Sequence, residues 1–223
     1  MRRFPTILIL AALALGLALP PPAAAQDRDI DKVNGSVLVE AGQQVGDVST
    51  VNGAVRIADG ASVHEASTVN GEVELGDKAQ ATELGTVNGT ISVGSASRVS
   101  GKVNAVNGSI RLARGAEVGG RVENVNGAIM LDGAHVAGGI GTVAGDITVG
   151  ADSRVEGGIL VDKPNHGWFH WGSERKPVIV IGPHAVVQGT LEFRREVVLK
   201  VSDSAQIGPV KGATAEKFSG ATP

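Results

Sequence analysis

The chain has no cysteine. That excludes disulfides, thiol catalysis and the lipidated cysteine by which bacterial lipoproteins are tethered. Tyrosine is also absent and aromatics make up only 3% of residues, which disfavours a globular core built around large rings. Beyond the N-terminus no apolar run is long enough to span a bilayer. A basic excess is missing too, with 20 Lys and Arg against 23 Asp and Glu, so nothing marks a nucleic-acid partner.

The N-terminus reads as a secretion address. Arg2 and Arg3 form a basic start, Ile7 to Leu19 an apolar stretch, and Ala23, Ala24 and Ala25 a small-residue cleavage site. The run is short for a membrane span, so residues 1–25 are expected to be a removed signal peptide, giving a periplasmic or secreted product. Its loss removes two arginines and no acids, leaving 18 bases against 23 acids and a formal charge of −5. The mature chain is expected to carry no transmembrane segment.

Glycine, in contrast, is abundant, and much of it falls in one tripeptide. Val-Asn-Gly recurs at Val33-Asn34-Gly35, Val51-Asn52-Gly53, Val69-Asn70-Gly71, Val87-Asn88-Gly89, Val106-Asn107-Gly108 and Val125-Asn126-Gly127, with Val143-Ala144-Gly145 as a worn seventh copy. The asparagines are separated by 18, 18, 18, 19 and 19 residues. A period this regular means stacked, near-identical units.

Each copy divides into three six-residue pieces, opening in one copy with Val51, Ile57 and Val63. Aliphatics two residues before the second piece (Val55, Val73, Ile91, Ile110, Ile129, Ile147) add the period-two alternation of a half-buried strand. Recurrent Gly and β-branched residues disfavour helix. The expectation is an all-β, single-domain parallel β-helix: triangular coils of 18–19 residues, stacked about 4.8 Å apart. In that stack the asparagine amides lie one above another and can bond as a ladder, glycine permits positive φ or close backbone passage, and valine supplies the inward face. The nineteenth residue of two coils is expected as a corner bulge outside the core. Leu38, Arg56, Glu74, Ser92, Arg111, Met130 and Thr148 share one outward register, where Arg56 can pair with Glu74.

The run Ile91 to Val161, with its cadence I-x-V-G-x-x-A-x-V-x-G-x-V, resembles the bactofilins, polymer-forming bacterial cytoskeletal proteins. The resemblance implies a right-handed triangular β-helix that joins end to end into filaments and serves as an envelope scaffold. Bactofilins are normally cytoplasmic with disordered tails, so the leader and the different C-terminal section depart from the family. An aliphatic residue followed four later by a small one (Ile57 and Ala61, Leu75 and Ala79, Leu112 and Ala116) is similar instead to the left-handed β-helix of acyltransferases. Right-handed coiling is favoured, because of the bactofilin cadence and the longer coils. The acyltransferase activity that this second resemblance implies needs an acyl-CoA donor, which an exported protein would not meet.

The rhythm breaks at residues 162–177, DKPNHGWFHWGSERKP, and resumes for about two coils over 178–208. Residues 26–32 are then a lead-in, 33–161 about seven coils, 162–177 an inserted loop and 209–223 a flexible tail. The loop holds both tryptophans, and His166, Trp168, Phe169, His170 and Trp171 form a candidate partner-binding cluster. It can cap the solenoid, or bind an envelope protein or glycan. His166, His170 and Glu174 would suit zinc only on a helix, which Gly167 and Gly172 oppose, so no metal or cofactor is expected. His64, His135 and His184 are expected at solvent-facing or corner positions with no triad partner. No face concentrates ionisable groups as a catalytic site would. The expected function is a non-enzymatic scaffold or interaction platform, self-associating as a homo-oligomer or filament; the alternative is a secreted adhesin or polysaccharide-binding module.

Overall fold

The computed structural model describes residues 28–164 and 175–223. The leader and the cluster from His166 to Trp171 lie outside the described residues. The described residues are all strand and corner, wound as a parallel β-solenoid of about ten turns. One sheet of ten strands runs from Val37–Val39 to Ala215–Phe218, and each strand pairs with its counterpart one coil on. A second sheet of 16 strands carries the other two faces.

The inward columns explain the period. In one coil Val55, Ile57, Ala61, Val63 and Ala66 are all buried, and the same columns hold Val73, Leu75, Ala79, Ala81 and Leu84 one coil above. Burying each larger aliphatic contributes about 1.5–3 kcal/mol, so every coil adds its own layer of core. The small residue four after an aliphatic lies at the tight corner between the first and second faces, where Ala61, Ala79, Ala116 and Ala185 are 0% exposed. That packing accounts for the hexapeptide rhythm.

The same corner carries a column of left-handed backbone. Gly42, Gly60, Gly115 and Gly133 share it with Lys78, Ala96, Asp152 and His184, all with φ between 55° and 73°. Four side chains therefore sit where L-residues are strained, at about 1–2 kcal/mol each.

In early coils the second and third faces form one strand of nine residues, such as Ser62–Asn70 and Gln80–Asn88. The nineteenth residue enters where that strand breaks. Ala81 pairs with Val99 and Leu84 with Val103, so the extra residue falls between Val99 and Val103, at a corner outside the core.

Three readings of the sequence change. Ile30–Asn34 pairs with Gln44–Asn52, so the lead-in already belongs to the first coil. The stretch read as a flexible tail supplies Val210–Lys211 and Ala215–Phe218, which pair with Leu191–Phe193 and Val198–Ser202. Its Gly-Ala-Thr composition reads as unstructured, but stacking needs only backbone groups and a small inward side chain. Finally, the valines of the tripeptide face outward: Val33 is 67% exposed and Val51, Val69, Val87, Val106 and Val125 are 38–40% exposed. The alternation is set one residue earlier, by Val48 and Thr50 pointing inward.

Candidate functional site

Four features stand out from the regular stack: a polar corner, histidines set beside carboxylates, the roots of the insert and the terminal coil.

The corner is the asparagine column. Nδ2 of Asn52, Asn70, Asn88, Asn107 and Asn126 each donates to Oδ1 of the asparagine one coil earlier, beginning with Asn34, at 2.9–3.1 Å. Beside it, the backbone of successive coils passes so closely that a Cβ on Gly53, Gly71, Gly89, Gly108 or Gly127 would overlap the carbonyl of the glycine below. Close approach is thus the reason for glycine from Gly53 to Gly127, whereas Gly35, where a Cβ would meet nothing, owes its glycine to a left-handed φ of 101°. The hydroxyls of Thr50, Thr68 and Thr86 donate to the carbonyls of Gly35, Gly53 and Gly71 at 2.9–3.2 Å. These bonds are what allow a buried hydroxyl where a valine was expected. At the worn copy Thr142 replaces the ladder, donating to Asn124 Oδ1 at 2.6 Å and accepting from Gly145 N at 2.9 Å.

Each described histidine meets a carboxylate from an adjacent coil. His64 Nδ1 lies 2.7 Å from Asp47, His135 Nε2 3.2 Å from Glu156 and His184 Nδ1 3.7 Å from Asp152. The hydrogen bond and charge of Asp47 raise the pKa of His64 above its ordinary value. Sequence spacing hid these pairs because the partners are 17–32 residues apart and adjacent only in the stack. Among the described residues no group of three or more His, Asp or Glu side chains is placed to hold a metal ion, and no helix is long and apolar enough to cross a membrane.

The insert leaves the stack at one corner. Ile147 pairs with Ile179, a step of 32 residues where Ile129 to Ile147 takes 18, yet the columns resume unchanged. Its two roots are tied to the coils on either side. Asp146 accepts from Arg175 Nη2 at 2.6 Å and from Val178 N at 2.9 Å. Lys176 pairs with Glu196 at 2.9 Å and Arg194 with Asp162 at 3.4 Å, while Arg195 donates to the carbonyls of Val143 and Arg175. Glu196 holds the Lys176 pKa up, and Lys176 holds that of Glu196 down. The charges of SERKP and EFRREV were legible in the sequence, but their meeting was not.

At the far end, the inward residues Ile207, Val210, Ala213 and Ala215 of the last coil are only partly covered. Among the described residues, the strands Gln206–Ile207, Val210–Lys211 and Ala215–Phe218 each have one paired neighbour.

No protein-family model, no curated protein and no solved structure matches this chain.

Proposed function

We propose that this protein is a non-enzymatic β-solenoid that acts as a scaffold or interaction platform in the cell envelope, with copies joined end to end. The observation that carries the reading is the last coil, whose strands have no second neighbour among the described residues and whose inward aliphatics are half-covered. A second copy stacking its first coil there would continue both sheets, a head-to-tail contact that does not close and so propagates. The resemblance to bactofilins supports the end-to-end reading, and the secretion-like leader supports an exported location for it.

Negative-stain electron microscopy and light scattering of the purified protein test it. Filaments are expected, and Val210→Asp, which puts a charge on the stacking end, is expected to shorten them to single rods. A strict monomer at high concentration rejects end-to-end assembly.

The clamped roots favour a second role for the same rod. Ion pairs from two coils hold Asp162 and Arg175 in place, which suits a segment carried on the scaffold to bind a glycan or an envelope protein. Glycan-array binding by the intact protein that is lost in Trp168→Ala would favour this reading over the scaffold alone.

A further inference from the structure

The outer surface of the third face leaves a charge problem that a single chain does not solve. Two columns of side chains flank it along the stack. One runs Asp47, Glu65, Glu83, Lys102, Arg121, three acids followed by two bases. The other is Val51, Val69, Val87, Val106 and Val125, uniformly 38–40% exposed. The column between them runs Ser49, Ser67, Gly85, Asn104 and Glu123, small at its centre, and its Glu123 pairs with Arg121 of the same chain at 3.0 Å.

Carboxylates in register on neighbouring strands sit about 4.8 Å apart and repel one another. His64 answers Asp47 at 2.7 Å and Lys102 answers Glu83 at 3.3 Å. Glu65, in the middle of the run, has no ion pair among the described residues. A cation supplied from outside would relieve that repulsion, and an apolar surface beside it would cover the valines.

We infer that this face is a docking surface for a second copy of the chain, packed face to face and antiparallel about a two-fold axis at the Gly85–Val87 rung. With the axis in the interface and across the coils, each column faces the same column of the second copy in reversed order. Glu65 then meets Lys102 of the second copy, Asp47 meets Arg121, Glu83 meets Glu83 on the axis with a Lys102 beside each, and every valine from Val51 to Val125 meets a valine. Gly85, on the axis, leaves room for approach. A parallel arrangement would set the charged column against the valines and strand it without water. An isologous contact of this kind closes on itself at two copies.

Five rungs about 4.8 Å apart and three columns about 6.6 Å apart make a patch of roughly 400 Å² per copy. That is about half the area per partner of a standard stable interface, so the dimer is weak. The inference is independent of end-to-end stacking, because Glu65 and Lys102 lie coils away from either terminal edge.

Sedimentation equilibrium of the purified protein over a concentration series at low salt, with the Val210→Asp variant as background, tests it. The expected result is a dimer that weakens as salt is added. Glu65→Lys and Lys102→Glu alone each weaken it at least tenfold, and the double charge swap restores it to within about threefold. Val87→Lys, an outward residue on the axis, abolishes the dimer while circular dichroism stays that of the parent. A strict monomer at all concentrations, a dimer indifferent to both reversals, or a swap no tighter than the single variants would each overturn the inference.

Discussion

At the scale of the residue, glycines that look alike in the sequence do different jobs. Gly89 lies against the Gly71 carbonyl, whereas a Cβ on Gly85 would meet only the Ser67 Cβ at 3.8 Å. Gly89→Ala should therefore cost about 2–3 kcal/mol through forced backbone separation, while Gly85→Ala should be neutral or stabilising by up to about 1 kcal/mol; thermal unfolding of the pair measures the contrast. At the left-handed corner the direction reverses. Ala96, with φ of 55°, should gain about 0.5–1 kcal/mol on replacement by glycine, because relief of strain outweighs the added freedom of the unfolded chain. The asparagine ladder predicts an asymmetry. Asn70→Ala breaks two rungs and Asn34→Ala one, so the first should cost about twice the second, on the order of 1–2 kcal/mol against 0.5–1. His64 adds a pH signature. Its pKa is raised when folded, so its pairing with Asp47 stabilises below the unfolded pKa and that contribution fades as pH rises through the folded value. Asp47→Asn should bring the His64 midpoint back toward its ordinary value in an NMR titration; a midpoint that stays put would mean that Asp47 is not the cause.

At the scale of the element, the coil period, the three-piece coil and the asparagine column were all legible, because in-register stacking writes each contact into the sequence at a fixed interval. The inward direction of the tripeptide was not. Both Thr50 and Val51 are β-branched, and only the Thr50 hydroxyl meeting the Gly35 carbonyl at 3.0 Å decides which one turns in. The final strands were hidden for a related reason: Ala215 offers almost no hydrophobic signal, and its place comes from pairing with Leu199. The roots of the insert belong here too. Asp146→Ala removes the acceptor of both Arg175 and Val178 N, leaving that amide without its partner. Limited proteolysis is expected to cut the 162–177 segment several-fold faster in this variant, while the coils remain protected; equal rates would show that the clamp holds nothing.

At the scale of the whole molecule, the strands of each coil pair with those of the adjacent coils, so stability is close to a sum over coils and interfaces. Hydrogen exchange should be slowest in the middle coils, around Ile91 to Val122, and fastest at the terminal ones, which have a paired strand on one side alone among the described residues. Protection that was uniform from end to end would instead mean all-or-none opening. The uneven charge along the third face also lives at this scale, since no single residue pair reveals that acids precede bases along the rod.

Register in steps of 18 has one more consequence. Residues 53–70 form one complete turn, and their removal joins Asn52 to Gly71 with every column still in phase. Such a chain should fold as before and be shorter by a single rung of about 4.8 Å. A cut of nine residues would leave half a turn and take the following side chains out of their columns. Length is therefore a quantised property of this molecule. A gene that gains or loses 54 nucleotides here changes the reach of a ruler without having to redesign it.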